Sequence, residues 1–264
     1  LEKPMAIEYL DDIVSVSDGI MVARGDLGVE MLPEAVPPLQ KRIIRACRMS
    51  GKPVIVATQM LDSMVQLPTP TRAEASDVAT AVYDGVDAVM LSAESASGAY
   101  AQEAVSMMNR IIESVEKDAY YHQQLKNSRT PWKSTSSDAI TAGARQVAET
   151  ISATAIITLT TTGSTALRAA RERPQTPILA LTPSPQVARR LSLVWGTHPI
   201  EMQEFDSIIE IDIRVSHLAM QNEFARKGDN LVLTIGGDFT RHDAPRVFHS
   251  GTTRLLSIIN VTEE

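Results

Sequence analysis

The sequence predicts an α/β fold assembled from parallel βα units, and three observations carry that reading. Short apolar runs at Ile20-Met-Val-Ala23, Val54-Ile-Val-Ala57 and Ala88-Val-Met-Leu91 recur about 34 residues apart, a spacing that suits one strand and one helix each. The runs are apolar throughout rather than alternating, as strands of a parallel sheet covered on both faces must be. Each ends in residues able to do chemistry: Arg24-Gly-Asp26, Thr58-Gln-Met60 and Ser92-Ala-Glu94. A barrel and an open doubly wound sheet both satisfy this pattern, and repetition alone does not choose between them.

Each element has a local cause. Pro33 to Ser50 reads as a helix with proline in its first turns and Gly51 as its stop. Thr71-Arg-Ala-Glu74 is a capping box, Thr as N-cap and Glu three residues on, opening a helix that runs to Gly85. A third helix, about Gln102 to Lys117, carries Val105, Met108, Ile112 and Val115 at helical spacing. Residues 119–135 lose that periodicity and read as a linker or partly helical connector between residues 1–118 and a second region, 136–264. There a helix from Asp138 to Ile151 leads to a strand at Ala155–Leu159, a Thr-rich turn and a helix through Arg171. A strand at Pro177–Leu181, a helix near Gln186–Leu193, a long helix about Ser207–Lys227 and strands at Asn230–Ile235 and Arg254–Asn260 complete a separate α/β domain.

Composition excludes whole classes. Of 264 residues, 44% are hydrophobic and 22% charged, values of an ordinary globular protein rather than a disordered or collagenous one. No apolar run approaches the ~20 residues of a membrane span, and no secretory signal is legible, so the expected location is cytoplasmic with no membrane partner. A net charge of −7 argues against nucleic-acid binding without excluding a small phosphorylated ligand. Cys47 stands alone among apolar helical neighbours and reads as a buried, inert thiol. The five histidines, His122, His198, His217, His242 and His249, lack the paired spacing of a zinc site.

Asp26 follows Gly25 at a strand end, either as a ligand for a cation or as a cap for the next helix. Glu2 offers a second carboxylate; Mg2+ commonly uses one or two and completes its shell with water and substrate oxygens. The Thr58 hydroxyl either meets a substrate or closes an ST-turn. Ser92 and Glu94 repeat that arrangement on the third strand. In the second region, Thr160-Thr-Thr-Gly-Ser-Thr165 lies between strand and helix, so its amides and hydroxyls are either a phosphate cradle or a helix cap. It lacks the Gly-Lys-Ser/Thr ending of a Walker loop. Arg214 is a candidate cationic partner.

Together, Asp18-Gly-Ile-Met-Val-Ala-Arg-Gly-Asp-Leu-Gly-Val-Glu30, Lys52-Pro-Val-Ile-Val-Ala-Thr-Gln-Met60, Pro70-Thr-Arg-Ala-Glu74 and Asp87-Ala-Val-Met-Leu-Ser-Ala-Glu94 closely resemble the pyruvate kinase family. The resemblance implies a partial TIM (β/α)8 barrel, strands six to eight, followed by an α/β regulatory domain. It implies phosphoryl transfer from phosphoenolpyruvate to ADP, yielding pyruvate and ATP, with Mg2+ or Mn2+ and with K+, whose ligands lie on strands outside this sequence. It implies metal binding by Glu2 and Asp26 and substrate contacts from Ala23, Arg24, Gly25, Thr58 and Ser92. Arg72 would work at a subunit interface of a tetramer. Thr160 to Thr165, Arg214 and Ser250-Gly-Thr252 would bind a phosphorylated effector.

The general-acid lysine implied by the resemblance falls two residues before Glu2, and the lid that covers the nucleotide is not among these residues. The chain alone is therefore expected to be an inactive C-terminal portion, with a non-catalytic phosphometabolite-binding or assembly module as the alternative. Where some relatives carry basic residues in the phosphate loop, Thr161 and Ser164 stand here. A bisphosphate would forgo charge-assisted contacts worth roughly 1.5–3 kcal/mol each, so a monophosphate such as a sugar monophosphate or AMP is favoured.

Overall fold

The computed structural model describes residues 1–127, 135–204, 210–236 and 253–262. The chain divides into two compact units, Leu1–Arg129 and Thr130–Glu264, with the division inside the segment read as a connector.

In chain order the first unit contains α1 (Pro4–Glu8), α2 (Leu10–Val16), β1 (Ile20–Ala23), α3 (Arg24–Glu30), α4 (Val36–Ser50), β2 (Val54–Ala57), α5 (Arg72–Tyr83), β3 (Ala88–Val89), α6 (Ala93–Ala96), α7 (Ala101–Glu116) and α8 (Ala119–Asn127). The strands pair in parallel in the order β1-β2-β3, with Ile20 opposite Val54 and Ile55 opposite Ala88. Val22, Val54 and Val56 share one core with Ile43, Ile44 and Cys47 of α4, Val78 and Ala81 of α5, and Ala104 and Met108 of α7. Winding in one direction with the helices on one face is the arrangement of a barrel arc, and a doubly wound sheet would have reversed its strand order.

Three expectations are corrected here. The strands are not covered by helices on both faces: Met21 is 41% exposed and Ile55 only partly buried, because successive right-handed crossovers lay their helices on one side. Residues 24–30, read as a loop, form α3, which Leu27 anchors in the core. Val105 of α7 faces outward at 54% exposure, while Ala104 takes the buried position. The connector carries α8, whose Tyr121 and Leu125 pack one turn apart against Val82 and Val115.

The Thr71 capping box is present in full. The Glu74 amide donates to the Thr71 hydroxyl at 3.2 Å, and the Glu74 carboxylate accepts from the Thr71 amide at 2.7 Å. Gly51, at φ 68°, closes α4 in the left-handed region.

The second unit contains α9 (Ser136–Ile151), β4 (Ala155–Leu159), α10 (Ser164–Arg171), β5 (Ile178–Thr182), α11 (Pro185–Leu191), β6 (Thr197–Glu201), α12 (Ile211–Gln221), β7 (Asn230–Gly236) and β8 (Thr253–Asn260). The sheet order is β6-β5-β4-β7-β8, parallel except for the antiparallel β8. Ile157, Leu159, Leu179 and Leu233 pack with α12, whereas Ile156, Ile178 and Val232 pack with α9 and α10. Burial on both faces explains why these strands read as continuous apolar runs. The β6 strand was not expected, and α12 is shorter than the helix read over 207–227 within the described residues.

Two predictions follow from these contacts. Burial alone would raise the Glu74 carboxyl, but hydrogen bonds from Ser63 and Thr71 outweigh it and hold the group below the usual carboxylate range. A depressed folded pKa contributes stability above the unfolded value and loses it as pH falls through the folded one. Glu74→Gln is expected to lower stability by about 1 kcal/mol at pH 7 in urea unfolding followed by far-UV circular dichroism, and the gap to wild type should close below about pH 4. Burial, with a smaller contribution from Asp87, pushes the Cys47 thiol up to about 12. Iodoacetamide at pH 8 should therefore leave Cys47 unmodified in the folded chain and alkylate it in urea, as read by intact mass.

Candidate functional site

The C-terminal ends of β1, β2 and β3 form one edge, where parallel α/β units gather their reactive side chains. Leu1 lies along β1 in the manner of a parallel neighbour: its amine donates to the Met21 carbonyl and its carbonyl accepts from the Ala23 amide at 3.2 Å. That pairing carries Glu2 to the edge where Asp26 sits in the first turn of α3. Lys3 reports their proximity. Its ion pair with Glu30 is the main influence raising its pKa, with smaller electrostatic contributions from Glu2 and Asp26. Both Glu2 and Asp26 are exposed. Two exposed carboxylates without histidine or thiol partners are an oxygen donor set that fits a hard divalent cation supplying its own waters. Among the described residues no group of three or more His, Cys, Asp or Glu converges into a protein-made cage.

Gly25 and Thr58 come together, and they engage each other. The Gly25 amide donates to the Thr58 hydroxyl at 2.8 Å, and that hydroxyl donates to the Ala57 carbonyl at 2.6 Å. The expectation that the Gly25 amide is free to face an anion is thus corrected. Arg24 is corrected too: its guanidinium pairs with Asp77 at 2.6 Å and donates to the carbonyls of Thr58 at 2.8 Å and Ala57 at 3.4 Å. A side chain so engaged acts as a staple between β1 and β2. Thr58 itself lies at φ 71° and Gln59 at φ 55°, the first a strained conformation for a β-branched residue.

Ser92 is exposed, but Glu94 turns inward and is 1% exposed. Its two oxygens accept from the Leu61 amide at 3.2 Å and the Ser92 amide at 2.7 Å. Sequence reading had treated Glu94 as a companion of Ser92 at the surface. Arg72 is exposed at the start of α5, and Ala23 is buried at the end of β1.

In the second unit the Thr160–Thr165 loop leads into α10, with Gly163 left-handed at φ 86° and no side-chain cap on the helix. A Cβ at Gly163 would also meet Val187 and Leu191 at 3.4 Å. Thr160 accepts from the Gly163 amide at 2.9 Å, and Thr165 bonds the Thr253 hydroxyl at 3.0 Å. Those two hydroxyls are buried; Thr161, Thr162 and Ser164 stand nearer the surface. Arg214 pairs with Glu210 on its own helix at 3.0 Å. Ser250, Gly251 and Thr252 lie outside the described residues.

One cluster escaped sequence reading. Asp138 pairs with Arg171 at 2.9 Å and Arg168 at 3.6 Å, while Arg145 pairs with Glu149 at 3.0 Å and Glu172 at 3.8 Å. The signal was present: Asp138, Thr141, Arg145 and Ala148 follow the 3-4-3 spacing of a core-facing stripe, and all four are buried.

Comparison with known proteins agrees with this arrangement. The family described as "Pyruvate kinase, barrel domain" matches residues 1–105, and "Pyruvate kinase, alpha/beta domain" matches residues 138–248. A pyruvate kinase of Methylorubrum extorquens is 50% identical over 264 residues, all of this chain and 54% of that protein. One of Agrobacterium vitis is 52% identical over 90% of this chain and 50% of its own length, and one of Clostridium acetobutylicum 45% identical over 98% and 53%. The chain therefore spans about half the length of the curated relatives it matches. On two family matches in sequence order and this identity along its whole length, the chain belongs to the pyruvate kinase family.

Proposed function

We propose that the protein to which these residues belong transfers a phosphoryl group from phosphoenolpyruvate to ADP, giving pyruvate and ATP. The observation that supports this reading most is the approach of Glu2 and Asp26 at the edge where Gly25 and Thr58 also meet. A divalent cation, Mg2+ or Mn2+, held by those two carboxylates would neutralise charge on the phosphoryl group, the main demand of such a transfer. The chain's own residues supply orientation. The Thr58 hydroxyl, rotated away from the Ala57 carbonyl, can donate to a substrate oxygen, and the Gly25 amide beside it is a second donor.

The enolate left after transfer must gain a proton, and the group expected to deliver it lies before Leu1 in the resemblance. A polypeptide of these 264 residues should give no turnover above background in an assay coupled to pyruvate reduction, while the longer protein carrying the same residues should be active. Asp26→Asn in that longer protein should lower kcat/KM by at least about 100-fold and weaken Mn2+ binding measured by calorimetry. Turnover by the 264-residue polypeptide would overturn the first expectation; unchanged Mn2+ affinity would remove Asp26 from the metal site.

The second unit is proposed to bind a phosphorylated effector at the uncapped N-terminus of α10, with Thr161, Thr162 and Ser164 as neutral donors and Arg214 released from Glu210. Neutral donors favour a monophosphate. Calorimetry on the 264-residue chain should show AMP or a sugar monophosphate binding more tightly than fructose 1,6-bisphosphate, and the reverse order would reject the preference. Arg72 is proposed to face a neighbouring subunit in a tetramer.

A further inference from the structure

The turn after β2 is the most strained stretch of the first unit, and a buried carboxylate from the third βα unit reaches into it. Thr58 and Gln59 are both left-handed. Three residues on, the Leu61 amide is held by Glu94, whose other oxygen holds Ser92 at the end of β3. Glu94 is 1% exposed, Leu61 is fully buried, and the amides it serves have no ladder partner once the chain has left the sheet. The approach is close: a Cβ at Gly98 would lie 2.6 Å from the Glu94 carbonyl and 3.2 Å from Val65, so α6 packs directly on this turn. Ser63, two residues beyond Leu61, is tied in turn to Glu74 through its amide at 2.7 Å.

We propose that Glu94 is the positioning residue of the Thr58 turn: its buried carboxylate, by bridging the amides of Leu61 and Ser92, keeps Thr58 left-handed with its hydroxyl on the Gly25 amide. Glu94 touches neither Thr58 nor any reacting atom, so it acts through Leu61. Only the consequence for turnover rests on the phosphoryl-transfer reading; the pinning does not. A glutamine has the same shape, but its amide nitrogen cannot accept, so one of the two backbone donors loses its partner. An aspartate keeps the charge and lacks a methylene of reach.

Amide hydrogen exchange of the 264-residue chain, read residue by residue by NMR, separates positioning from bulk stability. In Glu94→Gln, protection at Leu61 or Ser92 and at Gly25 should fall at least tenfold, while Ile43, Ile44 and Cys47 of α4 keep theirs. Glu94→Asp should retain more protection at Gly25 than Glu94→Gln. Unchanged protection at Gly25, or an equal fall at Gly25 and throughout α4 in both variants, would overturn the proposal. In the longer protein, Glu94→Gln should raise KM for phosphoenolpyruvate by about tenfold with a smaller change in kcat. Loss of Gly25 protection without that kinetic change would leave the positioning intact and count against Thr58 as a substrate group.

Discussion

Every strand of a parallel sheet that runs the same way ends at the same edge, and there the backbone leaves its ladder with donors still to satisfy. A buried amide without a partner costs about 1–3 kcal/mol. In the first unit the partners come from the neighbouring βα unit. The Thr58 hydroxyl meets the Gly25 amide, Glu94 meets Leu61 and Ser92, and at the opposite edge Asp87 accepts from the Val54 amide at 2.9 Å. Each strand end is thereby tied to the next by a side chain, and the arc holds its register beyond what its short strands supply. The same residue types that complete the backbone are those that bind cations and phosphoryl groups, so structural and chemical demands fall on one edge.

The second unit solves a different problem with charge. Asp138, Arg145, Arg171 and Glu172 are each within a few per cent of full burial, and removing one member of such a network leaves an uncompensated buried charge costing about 3–5 kcal/mol. Two of its cations, Arg168 and Arg171, stand in the last turn of α10, where the helix dipole favours positive charge. Their attachment to Asp138 fixes the C-terminal half of α10 against α9. The N-terminal half, uncapped by any side chain, keeps its partial positive charge at the Thr-rich loop.

Much of this was legible before any coordinates. Thr71 and Glu74 announced a helix start because a capping box is a local interaction, and Gly51 announced a stop because few other residues adopt φ 68° without strain. Non-local features were opaque. The β6 segment Thr-His-Pro-Ile-Glu has no apolar run, and its proline is tolerated because the strand lies at a sheet edge. The two glycines of α3 argue against a helix that one buried leucine nevertheless anchors. At the site, the sequence marked Arg24, Gly25, Thr58 and Glu94 as chemically capable. It could not say that three of them bond within the fold and that the fourth is buried, since that depends on which way a side chain turns at a strand end.

The strain at Thr58 connects these observations. A left-handed β-branched residue costs on the order of 1–3 kcal/mol and persists only where its surroundings over-determine it. Arg24 grips the Thr58 carbonyl from β1, Glu94 grips Leu61 from β3, and the hydroxyl is saturated by Gly25 and Ala57. A turn held from both sides does not rearrange to meet a ligand. Recognition there must proceed by exchange of hydrogen-bond partners at fixed positions: a substrate oxygen replaces the Ala57 carbonyl as acceptor for Thr58. Such an exchange conserves the number of hydrogen bonds and requires no reordering of the backbone, which is what a preorganised donor at the site of charge transfer requires.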